Sequence, residues 1–186
     1  MKKILLLFTL TFISLISNAQ EVSVEKSIYG VQIGLVGIYG YGEYKLSNSF
    51  ALRTELGYDA GPQYLDPDNS RSSITFSPVL SVESRWYYNL KRRVEKNKRI
   101  DHNSGNFLSL KISYDPDFLV FSTTDRSTFF PNELSIIPTY GVRRNIGKKF
   151  NYETGFGLGY LRILNNNFAD NSGLAMNLYL RIGLGF

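Results

Sequence analysis

Residues 174–186, the last thirteen of the chain, alternate between two kinds of side chain. The even positions are all apolar: Leu174, Met176, Leu178, Leu180, Ile182, Leu184 and Phe186. The odd positions carry Ala, Asn, Tyr, Arg and two Gly. Because successive side chains of a β-strand point to opposite faces, this stretch predicts a strand with one apolar and one mixed polar face. About ten residues of such alternation can cross a bilayer at a tilt.

The same period of two recurs in seven earlier segments, at about 29–36, 38–46, 50–59, 74–88, 107–114, 134–143 and 150–160. The fifth can continue past Asp115 and Pro116 through Phe118 to Phe121, and Gly61-Pro62 is expected to end the third. No long segment has the 3.6-residue period of an amphipathic helix. An open sheet edge is not tolerated in lipid. The pattern therefore predicts an all-β fold, an eight-stranded antiparallel up-and-down transmembrane β-barrel.

The first nineteen residues are predicted to be a secretory signal peptide, and residues 20–186 the barrel domain. Lys2 and Lys3 precede a short apolar run, and small residues before Ala19 suit cleavage after it. An uncleaved N-terminal anchor is the alternative. The chain has no cysteine, which excludes disulfides and thiolate chemistry.

Connections and aromatics suggest which end of the barrel faces which side. Short turns at 47–49 and 144–149 lie on the side of both termini, whereas longer loops occupy 60–73, 115–132 and 161–173. In outer-membrane barrels the short turns face the periplasm. Two connections depart from this pattern. The first outer loop, near 37–40, is very short, and the basic turn at 89–105 is long although it lies on the periplasmic side. Aromatic girdles are expected at both membrane boundaries, with Tyr88, Phe107, Phe150, Phe186, Trp86 and Tyr152 at one and Tyr58, Tyr114 and Tyr160 at the other.

Strand pattern, girdles and terminal aromatic together resemble the small bacterial outer-membrane β-barrel proteins, the OmpA- and OmpX-like eight-stranded barrels. The resemblance covers nearly the whole chain after the signal, at the level of pattern. It implies a Gram-negative outer-membrane location, a structural or surface-interaction role and no catalysis. It also implies contact with outer-membrane lipid, and recognition of Phe186 in the last strand by the barrel-assembly machinery. The alternative class is an exported soluble barrel that binds a lipophilic ligand, as lipocalins do, with the apolar face lining the cavity.

Ten charged residues fall on the face predicted to point inward: Glu43, Lys45, Arg53, Glu55, Glu83, Arg85, Lys111, Arg143, Glu153 and Arg181. An eight-stranded barrel is just wide enough to be filled by side chains. Isolated buried charges are costly, so these groups are expected to pair and plug the lumen. An ion path or a ligand pocket is the alternative. Gly155, Gly157 and Gly159 are expected to make room for long Arg and Lys side chains.

No catalytic constellation is recognisable. The single histidine, His102, lies in the basic turn and is expected to be solvated. Neither a metal-ligand spacing nor a phosphate-binding glycine loop is present, and no cofactor is expected. The formal charge of +5 is too small to argue for nucleic acid, and a monomer is expected.

Two surface features are candidate partner contacts. Lys91, Arg92 and Arg93 belong to the basic turn and could meet an anionic periplasmic partner. The aromatics of the loop after the fifth strand, which are Phe118, Phe121, Phe129 and Phe130, could contact a surface partner, pack together or rest in the outer leaflet.

Overall fold

The computed structural model describes residues 22–64, 72–123, 132–164 and 171–186, so the predicted signal peptide lies outside the described residues. In the described part of the chain there are nine strands: β1 (Ser27–Gly34), β2 (Gly37–Lys45), β3 (Phe50–Tyr64), β4 (Ser72–Trp86), β5 (Asn106–Asp115), β6 (Phe121–Ser122), β7 (Glu133–Ile146), β8 (Phe150–Ile163) and β9 (Ser172–Gly185). One α-helix, α1 (Leu90–Glu95), and one 3₁₀ turn (Asp101–Asn103) connect β4 to β5.

Eight of these strands close into an antiparallel barrel, in the order β1, β2, β3, β4, β5, β7, β8, β9. Closure is made by β1 and β9, whose register runs from Gly30 opposite Gly185 to Gly34 opposite Arg181. The last residue extends that seam, because the Phe186 N–H donates to the Tyr29 carbonyl at 2.7 Å and the Phe186 carbonyl accepts from the Tyr29 N–H at 3.1 Å. The predicted eight-stranded antiparallel barrel is confirmed.

In each barrel strand, exposed apolar side chains alternate with buried side chains, most of which are charged, polar, aromatic or small. In β9, Leu178 is 66% exposed whereas its neighbour Tyr179 is 8% exposed. In β3, Leu56 is exposed whereas Arg53 and Glu55 are buried. The interior thus holds charged groups, and the outside carries the large hydrophobic ones. This distribution is the reverse of that in a water-soluble globular domain.

The β3–β4 hairpin extends further than the sequence predicts. Gly61 and Pro62 lie within β3, with Pro62 opposite Ile74. The pairing of β3 with β2 ends at Asp59, so Pro62 lies on an edge of the sheet. Proline has no N–H, and at an edge the sheet loses no hydrogen bond for lack of one. The predicted continuation of the fifth strand is wrong, because β5 ends at Asp115 before Pro116. Phe121–Ser122 forms β6, which pairs with β4 instead.

Residues 87–105, here called the cap, cover the end of the barrel at which β1 begins and β9 ends. This end is called the cap end, and the opposite one the loop end. Tyr87 and Leu90 from the cap pack with Phe107, Ala51 and Val24 in a buried apolar cluster. The predicted basic turn is therefore a short helix and a 3₁₀ turn anchored by apolar side chains. No helix in the described part of the chain has the length and apolar character to cross a membrane.

Candidate functional site: the charged interior and the basic cap

Nine of the ten charged residues predicted to point inward are buried together inside the barrel. The tenth, Lys45, is not among them. It ends β2 at the cap end, its side chain is exposed, and its Nζ donates to Ser23 Oγ at 2.6 Å. Residue alternation assigned Lys45 to the inward face, but at the last residue of a strand the barrel wall no longer encloses the side chain.

Glu43 is the carboxylate nearest the cap. It accepts hydrogen bonds from Arg143 Nη1 at 2.9 Å, from the Tyr87 hydroxyl at 2.9 Å and from Asn103 Nδ2 at 2.6 Å. Tyr87 and Asn103 belong to the cap, so the cap completes the coordination of a buried charge. Neither residue was predicted from the sequence. Asn103 lies outside the strand pattern. Tyr87 shares the inward parity of Arg85, which could have identified it.

Arg85 joins two carboxylates from different strands. Its guanidinium bonds Glu153 in a bidentate manner, at 2.7 and 3.0 Å, and also bonds Glu83, at 2.7 and 2.9 Å. The other oxygen of Glu83 accepts from Ser109 Oγ at 2.5 Å. A bidentate arginine–carboxylate pair is among the stronger and more directional ionic contacts.

Glu55 gathers three cations toward the middle of the barrel. Arg53 Nη2 and Arg181 Nη1 lie 2.8 and 2.7 Å from its carboxylate, and Lys111 Nζ lies 3.6 Å away. Arg53 Nη2 also donates to Gln32 Oε1 at 2.8 Å, and Gln32 in turn donates to Asn151 at 2.8 Å. Each of the four buried glutamates therefore has a cationic partner among the described residues.

Interior aromatic rings separate the arginines from the barrel wall. Four of these rings lie directly across the sheet from a glycine, in the register pairs Tyr41–Gly30, Tyr39–Gly57, Phe107–Gly141 and Tyr179–Gly155. An added Cβ on any of these glycines would lie within 2.8 Å of the ring opposite it. The glycines thus allow the rings to lie flat against the wall, as in aromatic rescue of strand glycines.

Guanidinium groups stack on the faces of these rings that point into the barrel interior. Arg53 lies 3.8 Å from the Tyr41 centroid, Arg85 lies 4.2 Å from that of Phe107, and Arg181 lies 3.7 Å from that of Tyr39. Cation–π contacts of this kind strengthen when they are desolvated. The interior is therefore layered from glycine to ring to guanidinium to carboxylate.

The expected role of the three glycines of β8 needs correction. Gly155 makes room for the ring of Tyr179, whereas Gly157 and Gly159 face the backbone of β7. Pro138 lies in β7 at this point, and the ladder between β7 and β8 is interrupted from Ile136 to Thr139. A proline cannot donate to the ladder. Without Cβ atoms, Gly157 and Gly159 permit the close approach of the Ile136 and Pro138 carbonyls.

Aromatic side chains ring the outside at the cap end. Phe50 stacks on Trp86, which contacts Tyr88 edge-on, and Tyr29 contacts Tyr44 in the same manner. Phe107, predicted as a girdle residue, lies inside the barrel and is fully buried. It has the same parity as Ser109 and Lys111, so the strand alternation itself places it inward.

The cap carries a basic pocket with a volume of about 280 Å³. Its cationic lining consists of Arg92, Arg93, Lys96, Lys98 and, from β7, Arg144. Arg93 donates to the Arg99 carbonyl at 2.8 Å, and Arg144 donates to the Gly105 carbonyl at 2.8 Å. Partial burial, with the nearby Arg144, lowers the pKa of the Arg93 guanidinium below its usual value. Of the predicted contacts, Arg92 and Arg93 line this pocket and Lys91 is exposed beside them.

His102 differs from its predicted solvated state. It lies in the 3₁₀ turn with a positive φ of 46°, and its backbone N–H donates to Glu25 Oε1 at 2.5 Å. Its ring is half-buried and faces Gly185 at the closing strand. Among the described residues, no group of three or more His, Cys, Asp or Glu side chains could hold a metal ion.

The loop-end aromatics are exposed where the structure describes them. Phe118 and Phe121 are exposed, with Leu119 between them on the same segment. Phe121 belongs to β6, and its ring centroid lies 6.2 Å from that of Tyr58. Phe129 and Phe130 lie outside the described residues.

Comparisons of this chain with protein-family models, with curated proteins and with solved structures find no match. The class of protein must therefore be argued from the barrel itself, with its apolar exterior, ionic interior and basic cap.

Proposed function

We propose that this chain is an integral outer-membrane β-barrel protein of a Gram-negative bacterium. It is exported by a cleaved signal peptide and has a plugged polar interior. Its role is structural or one of surface interaction, without catalysis. The proposal rests on one observation, the outward position of the apolar face on all eight barrel strands. Exposed examples from β1 to β9 in chain order, β6 excepted, are Ile33, Ile38, Leu56, Val82, Leu110, Ile136, Phe156 and Leu178.

A continuous apolar exterior of this kind calls for a non-aqueous surrounding. Large exposed apolar patches on proteins mark partner or membrane contacts. Closed barrels are one of the two architectures that satisfy every backbone group in lipid. The cap-end aromatics around Trp86 suit the boundary between hydrocarbon and water. The backbone of Phe186 completes the barrel seam, and its ring is exposed. An exposed ring suits the proposed recognition of Phe186 by the barrel-assembly machinery.

The alternative, an exported soluble barrel for a lipophilic ligand, needs an apolar cavity inside. Here Arg53, Arg85 and Arg143 occupy the interior and are at most 1% exposed. The apolar side chains that would line such a cavity face outward instead. These positions weigh against a lipocalin-like function.

The surface-interaction part of the proposal draws on the loop end. The β3–β4 hairpin extends beyond the residue at which β2 stops pairing, and β6 adds to its other side. Phe118 and Leu119 expose apolar side chains beside this extension. Such exposed apolar segments suit docking of a partner.

Fractionation tests the proposed location. We expect the protein in the outer-membrane fraction, resistant to extraction with urea, and its detergent-solubilised form to migrate differently on a gel before and after boiling. Recovery in the soluble periplasmic fraction would overturn the proposal.

Conductance separately tests the plugged interior. The guanidinium groups, rings and carboxylates fill the bore, so planar-bilayer recordings of the native protein should show no large stable pore. A steady, high conductance would mean that the ionic network opens a water-filled path.

A further inference from the structure

The cationic side chains of the cap pocket form no ion pairs with the residues that the structure describes. The ion pair within the cap is that of Arg99 with Asp101, at 2.5 Å, and neither residue lines the pocket. Within the described residues, none of the five pocket cations, Arg92, Arg93, Lys96, Lys98 and Arg144, belongs to an ion pair. A concave site with so many unneutralised cations favours an anionic ligand.

Two of these cations are already fixed in place. Arg93 is held by the Arg99 carbonyl, and Arg144 by the Gly105 carbonyl and by Asn106 Oδ1 at 2.5 Å. Neutral carbonyl and amide partners orient the guanidinium groups without cancelling their charge. Pre-positioned arginines suit the oxygen atoms of a phosphate group.

One wall of the pocket belongs to the aromatic girdle. Tyr88 lines the pocket and contacts Trp86, with ring centroids 6.0 Å apart. Asn106 also lines the pocket, and its Nδ2 donates to the Tyr140 hydroxyl at 2.9 Å and to the Tyr88 hydroxyl at 3.4 Å. The cationic pocket therefore opens directly onto the apolar exterior of β4, β5 and β7. A ligand that used both surfaces would carry a phosphate and a hydrocarbon chain.

We propose that the cap pocket binds the phosphate head group of an anionic phospholipid whose acyl chains lie along the outer wall beside Trp86. The inference rests on the proposed function, because it needs the aromatic girdle to lie at the membrane boundary. Bound lipid at this position would tie the cap to the periplasmic leaflet.

Lipid titration of the full barrel tests this site. The protein is refolded in a maltoside detergent, whose head group carries no phosphate. It is titrated with dihexanoyl-phosphatidylglycerol, with dihexanoyl-phosphatidylcholine and with inorganic phosphate, and binding is followed by calorimetry. The pocket variant is Arg92→Gln with Lys98→Gln. The control is Lys26→Gln with Lys148→Gln, which removes the same charge from exposed side chains outside the pocket.

The expected result is saturable binding of phosphatidylglycerol, weakened about tenfold or more in the pocket variant and unchanged in the control. If the control variant lost the same affinity for phosphatidylglycerol, general surface charge would explain the binding and the inference would be overturned. Phosphate that binds as tightly as the anionic lipid would identify a free-anion site and overturn the lipid assignment, as would phosphatidylcholine binding equally well. Each variant is checked for its heat-dependent gel shift. If the unmodified protein keeps this shift but does not bind phosphatidylglycerol, the lipid site alone is overturned and the proposed barrel stands.

Discussion

Arg85 forms short ion pairs with two buried carboxylates, Glu83 and Glu153. Arg85→Met would keep much of the side-chain volume and remove the cation paired with Glu83. It would leave Glu153 only its longer contacts with Arg53 and Arg143, at 3.8 and 3.9 Å. Breaking a buried ion pair on one side typically costs about 3–5 kcal/mol, because the remaining charge stays unpaired. We expect a loss of this size in the free energy of unfolding, measured by urea titration of the refolded barrel. Arg162→Met, on an exposed arginine of β8, is the control and should change stability by less than about 0.5 kcal/mol. Equal urea midpoints for the two variants would contradict the ionic-network account.

Gly141 tests the layering of rings on glycines. An added Cβ there would lie 2.1 Å from Phe107 Cζ, so the ring would have to move off its contact with Arg85. Gly141→Ala should therefore destabilise the barrel by about 1–3 kcal/mol, the usual range for overpacking. Gly173→Ala is the matched control, since the nearest atom to its added Cβ is at 4.0 Å. Urea midpoints of the two variants give the comparison, and an unaffected Gly141→Ala would show that the ring position is not confined.

Side-chain alternation predicts the inward face but not what fills it. The parity of Arg53, Glu83 and Arg143 was enough to place them inside. The same parity placed Tyr41 and Tyr179 inside, yet their pairing with glycines depends on register between strands, which one strand's pattern does not encode. The prediction for Lys45 was wrong for another reason. The parity of a residue in a strand does not indicate where along the barrel axis the wall ends.

At the level of elements, the cap is a structural part of the barrel. Leu90 is 3% exposed in the apolar cluster with Tyr87, whereas Val94 on the same helix is 40% exposed. Leu90→Ala should cost about 2–5 kcal/mol locally and free the cap, because truncation of a buried leucine leaves a cavity. Limited trypsin digestion measures this, since α1 contains Lys91, Arg92 and Arg93. Cleavage in the cap should accelerate in Leu90→Ala but not in Val94→Ala. Equal rates would mean that the cap is not anchored by Leu90.

The elements that the sequence did not predict lie outside the repeating pattern. Helix α1 has six residues, too few to establish a 3.6-residue period, and its stability comes from tertiary contacts of Leu90. The sequence did not predict the extension of β3 past Gly61-Pro62, because glycine and proline usually end strands. Both residues are tolerated on the edge of a sheet. Which segments become edges depends on the lengths of neighbouring strands, here on β2 ending its pairing at Asp59.

At the level of the whole molecule, the closure of the barrel is linked to the separation of its polar interior from its apolar exterior. Joining β1 to β9 leaves the barrel wall without an open edge, and that wall encloses the ionic network. Most of the large aliphatic side chains face outward, whereas several aromatic rings pack inside against the arginines. The two-residue period of the sequence therefore accounts for both the inner and the outer surface of the barrel. We propose that the outer surface contacts lipid.

Site-directed spin labelling measures whether the outer wall contacts lipid, and the absence of native cysteine makes single-cysteine variants straightforward. Labels are placed at Leu110 and Leu178 on the outer wall, with Phe118 in the connection after β5 as the aqueous control. After reconstitution into phospholipid vesicles, oxygen should relax the two wall labels more than a water-soluble nickel chelate does. The label at Phe118 should show the reverse order. The proposed lipid contact would be wrong if the nickel chelate relaxed the wall labels as strongly as the label at Phe118. It would also be wrong if the protein failed to enter the vesicles.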